Sequence, residues 1–153
     1  MAIRQKSVIQ MKLDGTGETH ARSRIRARDV ESTIDEPLAR DGTNQGLTPT
    51  ETLMASLIGC TNVITKRIAH QMGVEMGEMT VSLTADFDRR GVSLQDEIDH
   101  PFSNIVMDIE VATDATADQM DHISRDLARF CPIAKVIRGS GVTITENWTQ
   151  KSL

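Results

Sequence analysis

The stretch PTETLMASLIGCTNVITKRIAHQMG, Pro49 to Gly73, decides how this chain is organised. It is mostly apolar and carries Cys60, one of only two cysteines, near its middle. Thr48-Pro49 supplies a cap residue and then a proline at the first helical position, where the missing N–H costs nothing. Thr48 and Glu51 have the spacing of a capping box. Gly73 is a usual C-terminal stop, and Lys66, Arg67 and His70 place cations where the helix dipole favours them. Leu53, Leu57, Cys60, Ile64 and Ile68 step by four, three, four and four, so they share one face, which Met54, Ile58 and Val63 widen. The expectation is a long central helix, buried on most sides, with a thiol turned to a core or a cleft.

On the N-terminal side, Ile9, Met11 and Leu13 alternate with Gln10 and Lys12, which predicts a strand over Ser7 to Leu13. Asp14 to Gly17 reads as a turn. From Thr19 to Arg28, Ala21, Ser23, Ile25 and Ala27 alternate with Arg22, Arg24, Arg26 and Arg28, the second half of a hairpin. Four arginines on one strand face read first as a solvated or salt-bridged face. Ile34 to Thr48, punctuated by Pro37, Gly42 and Gly46, reads as a loop long enough to carry function or to wrap a partner subunit.

On the C-terminal side, Met79, Val81, Leu83, Ala85 and Phe87 give the cleanest period-two pattern in the chain. Ile105, Met107, Ile109 and Val111 give another half-buried strand. Met120, Ile123, Leu127 and Phe130 recur at helical spacing over Thr116 to Phe130, with acids early and arginines late. Cys131-Pro132 breaks that helix, a short helix follows over Ile133 to Arg138, and Val142, Ile144 and Glu146 to Trp148 form a last strand. The predicted order is β-β-α-β-β-α-α-β. Paired strands favour an α+β fold, antiparallel sheet with two main helices packed on it, over a doubly wound parallel fold.

The totals set outer limits. At 153 residues, one domain over 1–153 is the expectation. A formal charge of -5 argues against nucleic acid as a partner, because phosphate binding needs a basic face. No stretch reaches the ~18 apolar residues of a membrane span. The first residues lack the apolar run of a signal peptide, so the expected compartment is the cytoplasm. There, two cysteines point to catalysis, redox chemistry or plain burial before a structural disulfide. His20, His70, His100 and His122 show no ligand spacing, and no metal site is expected. The eight methionines are read as core filler that could also line an adaptable apolar pocket.

The two thiols differ in setting. Cys60 is mid-helix, where its own dipole gives little help and apolar burial raises a thiol's pKa. It needs a cation or donor from elsewhere to react. Cys131 is the N-cap of the short helix if Pro132 is that helix's first residue, and the N–H groups beyond it then point at its sulfur. That setting lowers a thiol's pKa and suits a nucleophile or a thiol that attacks a sulfenic acid. The bland alternative for each is a small buried hydrophobe.

Together these features resemble the OsmC/Ohr superfamily. The resemblance rests on Pro49-Thr-Glu51 opening a helix that reaches Gly59-Cys60-Thr61, and on Asp35-Glu-Pro37. It rests also on the lead-in Gly42-Thr-Asn-Gln-Gly46, and on Phe130-Cys131-Pro132-Ile133 before a closing Val142-Thr-Ile-Thr strand. It runs over nearly the whole chain. It implies an intertwined homodimer with two active sites at the subunit interface, each holding two cysteines. It implies a thiol peroxidase for organic hydroperoxides, working without metal, haem or other cofactor; an apolar pocket lined by methionines would suit a fatty-acid hydroperoxide. Cys60 would be peroxidatic and Cys131 resolving, and a dithiol such as a lipoylated protein would regenerate them. In the peroxidase branches a glutamate directly after the helix-opening proline holds an activating arginine. Here Thr50 takes that place and Glu51 follows, a shift of ~100° around a helix. The Pro-x-Glu order resembles the less characterised OsmC-like branch. Arg22 is the first candidate for the arginine, with Arg24 and Arg40 as others. The competing expectation is a protein of the same fold without peroxidase activity, binding an apolar small molecule in the dimer cleft.

Overall fold

The computed structural model describes residues 7–153, which divide into two compact units, one ending at Leu53 and one spanning Met54–Leu153.

In the first unit, β1 (Asp14–Gly17), β2 (Ser23–Ala27) and β3 (Val30–Ile34) form an antiparallel meander in that order. This corrects the expected strand over Ser7 to Leu13 and the expected turn at Asp14 to Gly17. Ile9, Met11 and Leu13 are exposed, and pairing starts at Asp14, opposite Arg26. The turn lies further on, where the N–H groups of Glu18 and Thr19 both donate to the Arg22 carbonyl and the Thr19 hydroxyl accepts from the N–H groups of Ala21 and Arg22. The strand β3 is an addition to the expected order. Its hairpin turns at Arg28, whose φ of 57° is left-handed, so no glycine or asparagine announces it. The arginine face is salt-bridged as expected: Arg24 pairs with Glu18 and Glu31, and Arg26 with Glu31. The loop that follows holds a short 3-10 helix at Leu38–Arg40 and returns to bridge Ile34 with Leu47.

The long helix α1 (Pro49–Gln71) forms where the sequence places it. The Thr48 N–H donates to Glu51 Oε2 at 2.8 Å and the Glu51 N–H donates to Thr48 Oγ1 at 3.2 Å, the reciprocal bonds of a capping box. Gly73 closes it with a left-handed φ of 68°, and the Val74 N–H reaches back to the Ala69 carbonyl. Its buried residues are Leu57, Thr61, Thr65, Ile68 and Ala69, whereas Leu53 and Val63 are exposed. The expectation of burial on most sides is therefore corrected: burial follows one stripe, which includes two threonines, and apolar Leu53 and Val63 lie outside it.

In the second unit, β4 (Met76–Phe87), β5 (Phe102–Thr113) and β6 (Thr143–Lys151) form a sheet in that order. Ile105, Met107, Ile109 and Val111 point inward from β5 and are almost wholly buried. They join one core cluster with Met120, Ile123 and Leu127 of α2 (Ala117–Phe130), Ala134 and Ile137 of α3 (Pro132–Gly139), and Leu57 and Ile68 of α1. The opposite sheet face is polar, as in the Asn147–Asp108 bond. The pair β4–β5 is antiparallel, but β5–β6 is parallel, which corrects the all-antiparallel expectation. The connection explains it: α2 and α3 carry the chain from the end of β5 back along the sheet, the crossover a parallel pair needs. Thr116 caps α2 through a capping box with Gln119. Phe130, expected on the apolar face of α2, is exposed. The class is α+β with two mostly antiparallel sheets, as expected.

A thiol pair and its surroundings

The site is built from two pieces of local structure in the second unit. Cys60 lies in the body of α1 and is partly buried at the margin of the core. Cys131 ends α2 and starts α3. Its N–H donates to the Leu127 carbonyl, closing α2, and its carbonyl accepts from Lys135, opening α3. Pro132 follows at the first helical position, as the sequence predicts, and φ near -70° at Cys131 suits a cap. Backbone bonds on both sides thus fix the position of this residue between the two helices.

The two thiols meet. The Cys131 S–H donates to the Cys60 sulfur at an Sγ–Sγ distance of 2.9 Å, and both are free thiols. A covalent bond, at ~2.05 Å, needs only a further ~0.9 Å of approach. The Ala134 N–H also donates to Cys131 Sγ, at 3.4 Å. Cys131 is completely buried.

The expected fall in the Cys131 pKa is corrected. Burial pushes the thiol up to about 11, the hydrogen bond to Cys60 adds to the rise, and the α3 N–H groups offset it only in part. A dry site penalises a thiolate more than one long N–H···S contact stabilises it. Cys131 is therefore protonated near neutral pH and has an S–H to donate to Cys60.

Glu51 and Arg22 belong to the first unit, each with partners there. The Thr48 N–H is the main reason the Glu51 carboxyl is held below its usual range, and the Arg40 charge adds a smaller pull. Arg22 donates through Nε to Glu18 at 2.9 Å and through Nη1 to Thr43 Oγ1 at 3.0 Å. Thr43 in turn donates its hydroxyl to Asp35.

Asp35, quoted above only as part of a motif, is the centre of this loop. Its carboxylate is fully buried and accepts the N–H groups of Glu36, Thr43 and Gln45 besides the Thr43 hydroxyl. These donors hold its pKa down to about 2, the Thr43 hydroxyl foremost. Gly42 and Gly46 make the wrap possible: a Cβ on Gly42 would lie 1.8 Å from the Glu36 carbonyl oxygen, and one on Gly46 2.1 Å from that of Thr33. Asp35 followed by a threonine between two glycines, Gly42 and Gly46, was the available signal.

Among the described residues, no group of three or more His, Cys, Asp or Glu side chains is arranged to hold a metal ion, and no helix is long and apolar enough to cross a membrane.

The OsmC family model, described as "OsmC-like protein", matches residues 42–147. Solved structures agree over almost the full length. An OsmC-like protein from Mycoplasma pneumoniae superposes with a TM-score of 0.78 at 14% identity, covering 93% of this chain and 97% of that one. An organic hydroperoxide resistance protein from Elizabethkingia anophelis gives 0.65 at 15%, covering 97% and 100%. The organic hydroperoxide resistance protein OhrB of Bacillus subtilis gives 0.59 at 20%, covering 94% and 98%. No curated protein matches the chain by sequence. The chain belongs to the OsmC-like family.

Proposed function

We propose that this OsmC-like chain is a thiol-dependent peroxidase for organic hydroperoxides, with Cys60 peroxidatic and Cys131 resolving. The observation that carries the reading is the approach of the two sulfurs to 2.9 Å, one partly buried and the other fixed between two helices. The thiolate of Cys60 attacks the O–O bond, an alcohol leaves, and Cys60 becomes a sulfenic acid. The Cys131 sulfur then displaces the sulfenic oxygen as water and the disulfide forms. Being protonated makes Cys131 a slow nucleophile, but contact gives it an effective molarity that well-oriented neighbours raise to ~10⁵ M or more. A dithiol, such as a lipoylated protein, restores both thiols by exchange. No metal or organic cofactor enters these steps.

Glu51 and Arg22 take positioning roles in this reading. Arg22 is held by Glu18 and Thr43, and Arg40 is the arginine whose charge acts on Glu51. The reading also takes residues 1–153 as one domain, working as a homodimer in a reducing compartment such as the cytoplasm, where thiols are kept reduced.

The test is turnover of cumene hydroperoxide with a dithiol in excess. Wild type consumes peroxide catalytically and Cys60→Ser stops consumption, whereas Cys131→Ser, given peroxide with no dithiol present, reduces about one equivalent and stops as a sulfenic acid. Equal consumption by wild type and Cys60→Ser would sink the proposal. A second reading, an OsmC-fold protein that binds an apolar small molecule without peroxidase activity, is favoured by one observation: the Glu51 carboxylate is engaged in capping its own helix. That reading expects Cys60→Ser to leave binding of a fluorescent fatty acid unchanged and wild type to leave hydroperoxide intact.

A further inference from the structure

We propose that reductive recycling of the thiol pair has a fixed direction: the incoming thiolate attacks the Cys60 sulfur of the Cys60–Cys131 disulfide, and Cys131 is the sulfur expelled. This rests on the peroxidase reading only in taking that disulfide as the oxidised state.

Thiol–disulfide exchange is an in-line displacement. The nucleophile approaches along the S–S axis, behind the sulfur it attacks; burial makes Cys131 the slower sulfur to expel, so the direction proposed here rests on access outweighing leaving ability. The two sulfurs differ in access. Cys131 is completely buried and belongs to the core cluster, with Leu127 before it and Ala134 one turn on. A reductant that attacked Cys131 would have to enter that core. Cys60 is only partly buried. The thiols already stand 2.9 Å apart, so closing the bond needs little movement and leaves this difference in place.

The atoms balance as follows. The first thiolate of a dithiol forms a bond to Cys60 Sγ, and the Cys60–Cys131 bond breaks with its electron pair leaving on Cys131 Sγ. The Ala134 N–H is aimed at that sulfur and receives the developing charge. Cys131 then takes up a proton, because burial favours its neutral form. The second thiol of the dithiol loses its proton and attacks its own partner sulfur in the mixed disulfide, releasing Cys60. The dithiol is oxidised to a disulfide by two electrons, and the protein disulfide is reduced to two thiols. A protonated Cys131 returns slowly to attack the mixed disulfide, so the intermediate persists long enough for a second thiol to resolve it.

The experiment uses full-length protein oxidised with diamide, which makes the disulfide without any peroxide. A short pulse of 2-mercaptoethanol at pH 7 is followed by rapid alkylation and peptide mapping. The mercaptoethanol adduct is expected on the Cys60 peptide, with alkylated Cys131, in excess of the reverse product by about tenfold or more. Adduct on Cys131, or an even split, overturns the proposal and leaves the peroxidase reading intact. Failure of diamide to form the intramolecular disulfide overturns both. Formation of the disulfide with diamide but not with hydroperoxide removes the peroxidase reading and leaves the exchange result valid.

Discussion

The unit ending at Leu53 and the unit Met54–Leu153 use different forces. The second holds a contiguous apolar cluster on one face of β4–β5–β6, and the thiol pair spans its edge, with Cys131 inside the cluster and Cys60 packed against it. In the first, the buried residues among those described are polar, Asp35 and Thr48, and order comes from a carboxylate wrapped by N–H donors and a ladder of arginine–glutamate pairs. The contrast teaches where each kind of chemistry belongs. A dry core sets the protonation of Cys131 by excluding water. A polar, hydrated unit holds its arginines by exchangeable contacts that respond to pH and salt.

The contrast is testable from its strongest side down. Truncating the centre of the apolar unit should be the most damaging change: Ile109→Ala, in the middle of β5 and 1% exposed, should cost about 2–5 kcal/mol in urea unfolding. A cost below ~1 kcal/mol would mean that the cluster does not stabilise the unit as described.

Next comes acid. Asp35 is ionised in the folded state, with its pKa depressed from 3.8 to about 2. A depressed acid contributes stability above its unfolded pKa and loses it as pH falls through the folded one. The loop around Asp35 should therefore stay protected above pH ~4 and open between pH ~4 and ~2. Amide hydrogen exchange at Thr43 and Gln45 reads this directly, and Asp35→Asn should open the same amides at neutral pH. Unchanged protection in that variant would remove the carboxylate from its central place.

The smallest effect belongs to the surface pairs. Glu31→Gln, which removes a partner from Arg24 and Arg26, should change stability by no more than ~1 kcal/mol, and less in high salt. A larger loss would mean the ladder is more than a solvated face.

The same division explains what was legible in the sequence. Apolar periodicity located the elements: α1, α2, β4 and β5 lie within a few residues of their expected ends, although Leu53, Val63 and Phe130 on the predicted apolar faces are exposed, and Cys131-Pro132 caps α3 as the proline implied. Where polar contacts decide, it did not. Ile9, Met11 and Leu13 alternate like a strand but bury nothing, whereas the Asp14–Gly17 segment has no apolar face and pairs through its backbone. Asp35 carried no periodic signal at all. Within the apolar unit, the parallel placement of β6 depends on where α2 and α3 deliver the chain, which no local pattern encodes. The meeting of Cys60 and Cys131 is a long-range contact of the same kind. The Cys131 pKa went the other way from expectation because a cap is a local feature and desolvation a tertiary one.

The most direct measurement is the fate of the two thiols when reduced wild-type protein meets one equivalent of cumene hydroperoxide with no reductant present. The account predicts that both thiols disappear together, that one intramolecular Cys60–Cys131 disulfide is recovered by peptide mapping, and that Cys131→Ser stops at a sulfenic acid on Cys60. Two titratable thiols remaining after exposure, with no disulfide, would contradict it.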